Sequence, residues 1–304
     1  PEVSGLLGTS APGSGPPVVN AGSVENKGFE FAVGFNDTIG EDFKFNINYN
    51  ITTLNNEVLS VSGEDDFIPG GSFGIGQDPP ARMEAGYPIG YFRGFVTDGL
   101  FQNQSEVDSY PTINDAVQPG DLRFVDINND GIIDDNDRTN IGDPIPDATM
   151  GLNIRLDYKN FDLGAYAFAS LGNDIVRNYE RNQQLTNRTI HILDRWTGEG
   201  TSNTVPRVTN GANSNNLFSD YFVEDGSFAR IQNIQLGYTF NEKAIERLGF
   251  DKLRIYLSSN NVYTFTKYRG YDPTASTGAP IGGGIDQGFY PSARTYVFGL
   301  NLKF

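Results

Sequence analysis

The chain has 304 residues, with 22 Lys and Arg against 38 Asp and Glu and a net charge of −16. That balance excludes a nucleic-acid partner, whose phosphates need clustered cations, and the lack of Cys excludes disulfide frameworks and thiolate metal sites. No run of about 18 apolar residues occurs, which excludes a membrane-spanning helix but not a β-barrel, whose strands show lipid only alternate side chains.

In chain order, residues 1–25 are rich in Gly, Pro and Ser and read as an extracellular loop. The chain opens at Pro1 without a basic or apolar leader, so it is expected to be a mature chain or a fragment. Period-2 alternation then begins with Phe29, Phe31, Val33 and Phe35. A turn is expected at 36–41, from the chemistry of Asn36-Asp37-Thr38-Ile39-Gly40. Phe43, Phe45, Ile47, Tyr49 and Ile51 follow, set against Lys44, Asn46, Asn48 and Asn50. A long excursion at 62–146 contains Tyr87 to Phe101, which looks like strand but would break the up-and-down alternation as a crossing. It is therefore placed in an extracellular ribbon. From 147 onward five further strands are expected: Met150–Tyr158, Phe161–Leu171 after a tight Lys159-Asn160 connection, Ile234–Phe240, Leu253–Leu257 and Tyr296–Phe304.

A soluble sandwich strand alternates in the same way, so other features decide. Aromatic residues stand at strand ends (Phe29, Tyr49, Tyr158, Tyr238, Tyr296, Phe304), as interfacial girdles require. The opposite face is Asn, Gly, Lys and Arg, which suits a wet lumen. Connections alternate between short (36–41, 159–160, 241–252) and long (62–146, 173–222, 266–292), matching periplasmic turns and extracellular loops. The nine residues from Tyr296 to Phe304 at about 3.3 Å each and a tilt near 45° span roughly 21 Å, close to the roughly 25 Å apolar band. The fold class is thus all-β, a transmembrane antiparallel barrel segment of about seven strands. So few strands cannot close around a pore, because open edges in lipid leave backbone groups unpaired. The segment must pair with further strands.

Three local patterns carry chemistry or assembly. The end, Gly299-Leu300-Asn301-Leu302-Lys303-Phe304, gives Gly299, Leu302 and Phe304 the spacing of a barrel-assembly signal, with Val297 a departure where a polar residue is usual. Asp126, Asn128, Asp130, Ile132 (through its carbonyl), Asp134 and Asp137 follow calcium-loop spacing, with Gly131 at the sharp turn. Asp137 replaces the usual bidentate Glu, which weakens the site. A metal-free Asx-rich turn is the alternative, and in either case the loop is expected to be stiffened. No catalytic constellation stands out: the only His is His191, on a short loop helix within Thr189–Trp196, and no nucleophile elbow exists. Gly282-Gly283-Gly284 lacks a strand-to-helix context and a Lys for phosphate.

Several blocks together resemble the SusC/RagA-type TonB-dependent transporters. They are Asn20–Phe31, Gly86–Gly90 leading to Thr97–Phe101, Gly120–Asp134, Ile141-Gly142-Asp143-Pro144, Val223–Phe228 with Asn233, and Pro291–Tyr296. The resemblance implies the C-terminal part of a barrel of about 22 strands with a plugged lumen, in the outer membrane of a Gram-negative bacterium of Bacteroidetes type. It implies partners: the remainder of the same barrel and plug, a SusD-like surface lipoprotein as lid, TonB acting through a missing N-terminal part, and membrane lipid. It implies import of large nutrients, glycans or peptides, and no enzyme activity. Trp196, Tyr221, Phe222, Tyr268, Tyr271 and Tyr290 are the candidates for touching substrate or lid. A non-energised porin or secretion barrel stays open, to be separated by a plug and TonB box on the full-length chain. A secreted calcium-stabilised carbohydrate-binding β-sandwich also stays open, to be separated by solubility without detergent.

Overall fold

The computed structural model of the chain describes residues 22–62, 66–180, 188–209, 213–246 and 249–304. Seven strands run in sequence order as one antiparallel meander: β1 Glu30–Ile39, β2 Phe43–Thr53, β3 Ala148–Tyr158, β4 Phe161–Leu171, β5 Phe228–Thr239, β6 Lys252–Thr266 and β7 Thr295–Lys303. Because neighbours are antiparallel, the three short connections share one end of the sheet and the three long ones share the other. The outer edges of β1 and β7 pair with nothing among the described residues. Of the loop expected at 1–25, residues 1–21 lie outside the described residues. Residues 22–25 fall in a strand, Gly22–Lys27, which pairs with Asn55–Val61 and prolongs the β1–β2 hairpin past the sheet.

The β1–β2 turn is shorter than the sequence suggests. Asn36 to Ile39 stay in the ladder opposite Asn46 to Phe43, and the reversal takes only Gly40, Glu41 and Asp42. Gly40 supplies the positive φ of 64° that the turn needs. Strands β5 and β6 are longer than the alternation suggests, because each carries an irregularity. Residues Ile231 to Asn233 of β5 stand opposite Ala167 and Tyr166 of β4, and Tyr263 to Asn260 of β6 stand opposite Ile231 to Asn233. Each adds one residue relative to its neighbour, so the outward parity switches from even to odd on β5 and is the same (odd) on both sides of the irregularity on β6. Asn261 takes a φ of 51° there.

Among the described residues the buried core lies beside the sheet, not within it. Every buried hydrophobic residue except Val58, Phe228 and Ile245 belongs to the three long connections. These connections interlock. Phe73, Ala81 and Phe92 of the first pack with Val176, Phe218 and Phe222 of the second and Ile285 of the third. Tyr91–Phe95 sits in a four-stranded sheet of this loop body, flanked by Arg138–Asn140 and Ala81–Glu84, so the ribbon at Tyr87 to Phe101 is no wall strand. A second cluster of Phe95, Leu100, Leu122, Phe124 and Ile133 adjoins the first.

Candidate functional site: a two-faced wall beneath a folded loop body

Exact registers place like with like across the sheet. Phe45, Leu156, Leu163, Leu236, Leu257 and Phe298 stand side by side on one face, and Ile47, Ile154, Ala165 and Ile234 form the next row. Nearer the short turns, Phe43, Tyr158, Phe161 and Tyr238 make an unbroken aromatic row, with Phe43–Tyr158 centroids 6.4 Å apart and Phe161–Tyr238 4.7 Å apart. This row is the girdle. Tyr49, expected in it, stands further up the wall opposite Leu152. Past the bulges, Tyr263 and Phe265 return to this face. Phe298 is 72% exposed and Leu300 53%. A contiguous apolar face of this breadth far exceeds the few hundred Å² a soluble monomer tolerates, so its solvent is hydrocarbon.

The other face is mainly polar, with Tyr166, Phe168 and Val297 among its few apolar or aromatic side chains. Asn48, Asn153, Asn233, Asn260 and Thr295 share one level. There Asn233 donates to Asn260 Oδ1 at 2.7 Å, and Asn260 donates to Thr295 Oγ1 at 3.0 Å. Lower down, Arg254 grips Asp162 through Nε (2.9 Å) and Nη2 (2.5 Å), and Arg155 grips its strand neighbour Asp157. Hydrogen-bonding side chains need water or polar ligands, so this face looks into an aqueous lumen.

At the upper end, polar hubs tie the loops to the wall. Arg230 of β5 donates to Asp272 Oδ1 at 2.5 Å and to Thr264 Oγ1 at 2.8 Å. Asp272 also accepts from the amide and hydroxyl of Thr274 and the amide of Ser292. Burial pushes the Asp272 carboxyl up, but these donors outweigh it and hold the carboxyl down at about 2. Asp174 goes the other way. Burial, with the carboxylates of Asp143, Asp225 and Asp147 nearby, raises it to about 6 although the Asp143 amide opposes the rise. Within the loop body, fully buried Asp121 accepts from Arg207 at 2.7 and 2.9 Å and from Asn215 at 2.8 Å.

The six residues with calcium-loop spacing form a tight Asx-rich turn. Asp126 accepts the Gly131 amide at 2.8 Å, Asn128 the Asp130 amide at 3.0 Å, and Asp130 the Ile132 amide at 2.9 Å. Asn129 and Gly131 take positive φ of 59° and 84°. Asp134 caps the short helix Asp135–Asp137, and buried Asp137 spends one oxygen on the Ile127 amide and the other on that of Asp134. Asp126 Oδ1 is buried without a partner. The backbone scaffold suits a hard cation. Among the described residues, however, no three His, Cys, Asp or Glu side chains converge on a metal position.

The six aromatic candidates separate. Trp196 packs on the second loop cluster and donates its indole N–H to Gln102 Oε1 at 3.2 Å. Tyr221 and buried Phe222 pack on the first, and Arg177 lies 4.9 Å from the Tyr221 ring centre. Tyr268 is buried with its hydroxyl 2.7 Å from Asp286 Oδ2. Only Tyr271, 77% exposed, and Tyr290, 93% exposed, present free rings. His191 lies on the short helix Ile190–Asp194. At the chain end, Gly299 lies directly beneath the Tyr256 ring, where no Cβ would fit. Leu302 faces outward beside Leu253, and Phe304 packs edge-on against Phe250 at 5.2 Å. Sequence reasoning missed the Asp121, Arg230 and Asp272 hubs. The partners that join separate segments lie 34 to 94 residues away along the chain, beyond the reach of any local pattern.

An apolar outer face, a polar inner face, short turns below and folded loops above define an outer-membrane β-barrel wall. Comparison with known proteins narrows the class. No family model matches the chain. It is 33% identical over 297 residues to TonB-dependent receptor P3 of Formosa agariphila and 30% identical over 292 residues to TonB-dependent receptor SusC of Bacteroides thetaiotaomicron. Each match covers 94% of this chain, but only 29% and 27% of the respective relative. Among solved structures, the RagAB peptide transporter superposes with a TM-score of 0.73 at 20% identity, over 93% of this chain and 29% of that one. The RagAB importer in its closed-closed state gives 0.70. The chain is thus similar in sequence to a segment of TonB-dependent receptors, SusC among them, and similar in fold to a segment of the RagAB transporter. It spans less than a third of the length of the relatives it matches.

Proposed function

We propose that this chain is the C-terminal part of the barrel of an energised importer of large nutrients, glycans or peptides. In this reading the missing strands close the barrel, a plug fills it, TonB acts through that missing part, and a SusD-like lipoprotein covers the loop body. One observation carries the reading: a seven-stranded sheet with an exposed apolar face, a mainly polar face and two edges that are unpaired among the described residues. Such a sheet is stable only when inserted in lipid and completed by more strands. The exposed rings of Tyr271 and Tyr290 are the residues best placed to meet cargo or lid. We also infer calcium at the 126–137 loop, supported by the spare buried oxygen of Asp126. There the ion would recruit carboxylates now held by the loop's own amides and stiffen the loop body.

The test is uptake by cells expressing the full-length receptor, fed labelled oligosaccharides and oligopeptides, with and without TonB. The expected result is accumulation of one class that ceases without TonB. Accumulation that persists without TonB identifies a passive channel and rejects the energised reading.

A further inference from the structure

The apolar outer face is not smooth. Near its upper end small side chains lie between large ones. Ala169 of β4 and Ala229 of β5 stand side by side in register, and Phe265 of β6 completes the row. One row lower, Ala167 meets Ile231 and Tyr263. The Tyr263 and Phe265 rings pack edge-on at 4.7 Å and make one firm wall. Leu171, at the end of β4, makes the other. Between them lies a recess of about 480 Å³ with Ala229 in its floor. Its upper rim is formed by Ser227 and Lys267, one residue beyond the paired ends Phe228 and Thr266.

Depth assigns this rim to a leaflet. From Leu253, near the short-turn end of β6, the strand climbs twelve residues to Phe265. At about 3.3 Å each and a tilt near 45° that is roughly 28 Å, close to the roughly 30 Å of a hydrocarbon core. Lys267 therefore stands where the headgroups of the outer leaflet begin. Its side chain is exposed and has no hydrogen bond or ion pair among the described residues. Asp225, a carboxylate that its charge reaches, lies beyond ion-pair distance and accepts the Ser227 amide at 2.9 Å. Ser227 Oγ accepts the Gly172 amide at 3.0 Å, which fixes the rim. A free ammonium above an apolar recess matches a lipid whose phosphate meets the cation and whose acyl chain lies along the alanine floor. Phosphorylated glycolipid, the lipid of the outer leaflet of such membranes, brings both parts to that height.

We propose that this recess binds one phosphorylated glycolipid of the outer leaflet, with Lys267 at its phosphate and an acyl chain between Leu171 and the Tyr263–Phe265 wall. The proposal needs only the barrel wall in its membrane and holds whether or not import is energised. Its test is native mass spectrometry of the full-length receptor in mild detergent. The probes are lipid A, lipid A stripped of its phosphates, and phosphatidylglycerol. The expected result is one retained lipid A per receptor, with occupancy at least fivefold lower in Lys267→Gln and in Ala229→Leu, which fills the floor. Leu300→Ala, on the same face but away from the recess, leaves occupancy unchanged. Should Ala229→Leu fail to assemble, Lys267→Gln decides alone, because that side chain holds nothing else in place. Equal retention of lipid A by the wild type and Lys267→Gln overturns the proposal. So does equal retention of dephosphorylated lipid A, which would mean a bare acyl-chain groove, or of phosphatidylglycerol, which would mean a general affinity for anionic lipid.

Discussion

The Arg230–Asp272 pair gives the sharpest energetic handle on how the loops are held to the wall. Its two side chains are only 7% and 9% exposed, and the carboxylate accepts from Arg230, twice from Thr274 and once from Ser292. Replacing Asp272 with Ala leaves a buried guanidinium and two amides without an acceptor, a loss of about 3–5 kcal/mol for a broken buried pair. At about 1.4 kcal/mol per decade this releases the 267–294 connection roughly 100- to 3,000-fold more often. The wall keeps its ladder, so the effect is local. Hydrogen exchange on the full-length receptor should therefore quicken by two to three decades at Thr274 and Ser292 while the amides of β3 and β4 stay unchanged. The double variant Arg230→Met with Asp272→Leu should recover most of the protection, because no charge is then left buried. The latch also has a defined pH window. A carboxyl held at about 2 contributes its stabilisation fully above the ordinary value of 3.8 and loses it as pH falls through 2. Exchange at Ser292 should thus be flat, after correction for intrinsic rates, from pH 5 to 8. Acceleration spread evenly over the sheet, or none at all, would refute the assignment of this pair as a local latch.

Asp174 should give the opposite pH response. Its carboxyl is raised to about 6, so the folded state holds the proton more tightly and stability falls as pH rises from about 4 to 6, then levels. Asp174→Asn should flatten that slope in thermal melts of the loop body, and an unchanged slope would point to other groups. Calcium at 100 times its dissociation constant should stabilise the loop body by about 2.7 kcal/mol. Asp126→Ala and Asp130→Ala should abolish that gain, and identical melts with calcium and with chelator would dismiss the site. Ile154→Arg, on the outward face at mid-height, should cost about 2–4 kcal/mol of folding in lipid. Asn153→Arg, one residue away on the lumen face, should cost little, and equal losses would mean the faces are misassigned.

The wall was legible in the sequence wherever backbone and lipid act alone. In β2 and β3 every residue pairs without slip from Phe43–Tyr158 to Thr53–Ala148, so side-chain parity and lipid contact coincide and the alternation can be read directly. In β5 and β6 the pattern broke off early, because the bulge at Ile231–Asn233 inverts parity on β5 and the irregularity at Asn260–Tyr263 interrupts the ladder on β6. Ile231 and Ala229 of β5 face lipid from positions that counting back from Leu236 and Ile234 assigns to the lumen. At Asn36–Asp37–Thr38 the error ran the other way: local turn chemistry lost to the ladder, since Gly40 alone could make the reversal. The loop body was hardly legible. Its strands have two to five residues, and its core joins Phe92, Phe218 and Ile285 from three separate connections. Four of the six aromatic candidates are packed there for the same reason. Loops this long must bury their own apolar side chains, because the outer face of the barrel beneath them is already committed to lipid. The same division explains why only Tyr271 and Tyr290 are left free. An aromatic ring exposed above such a body has no packing role to fill, which makes these two rings better candidates for contact with cargo or lid than the four that the body has absorbed.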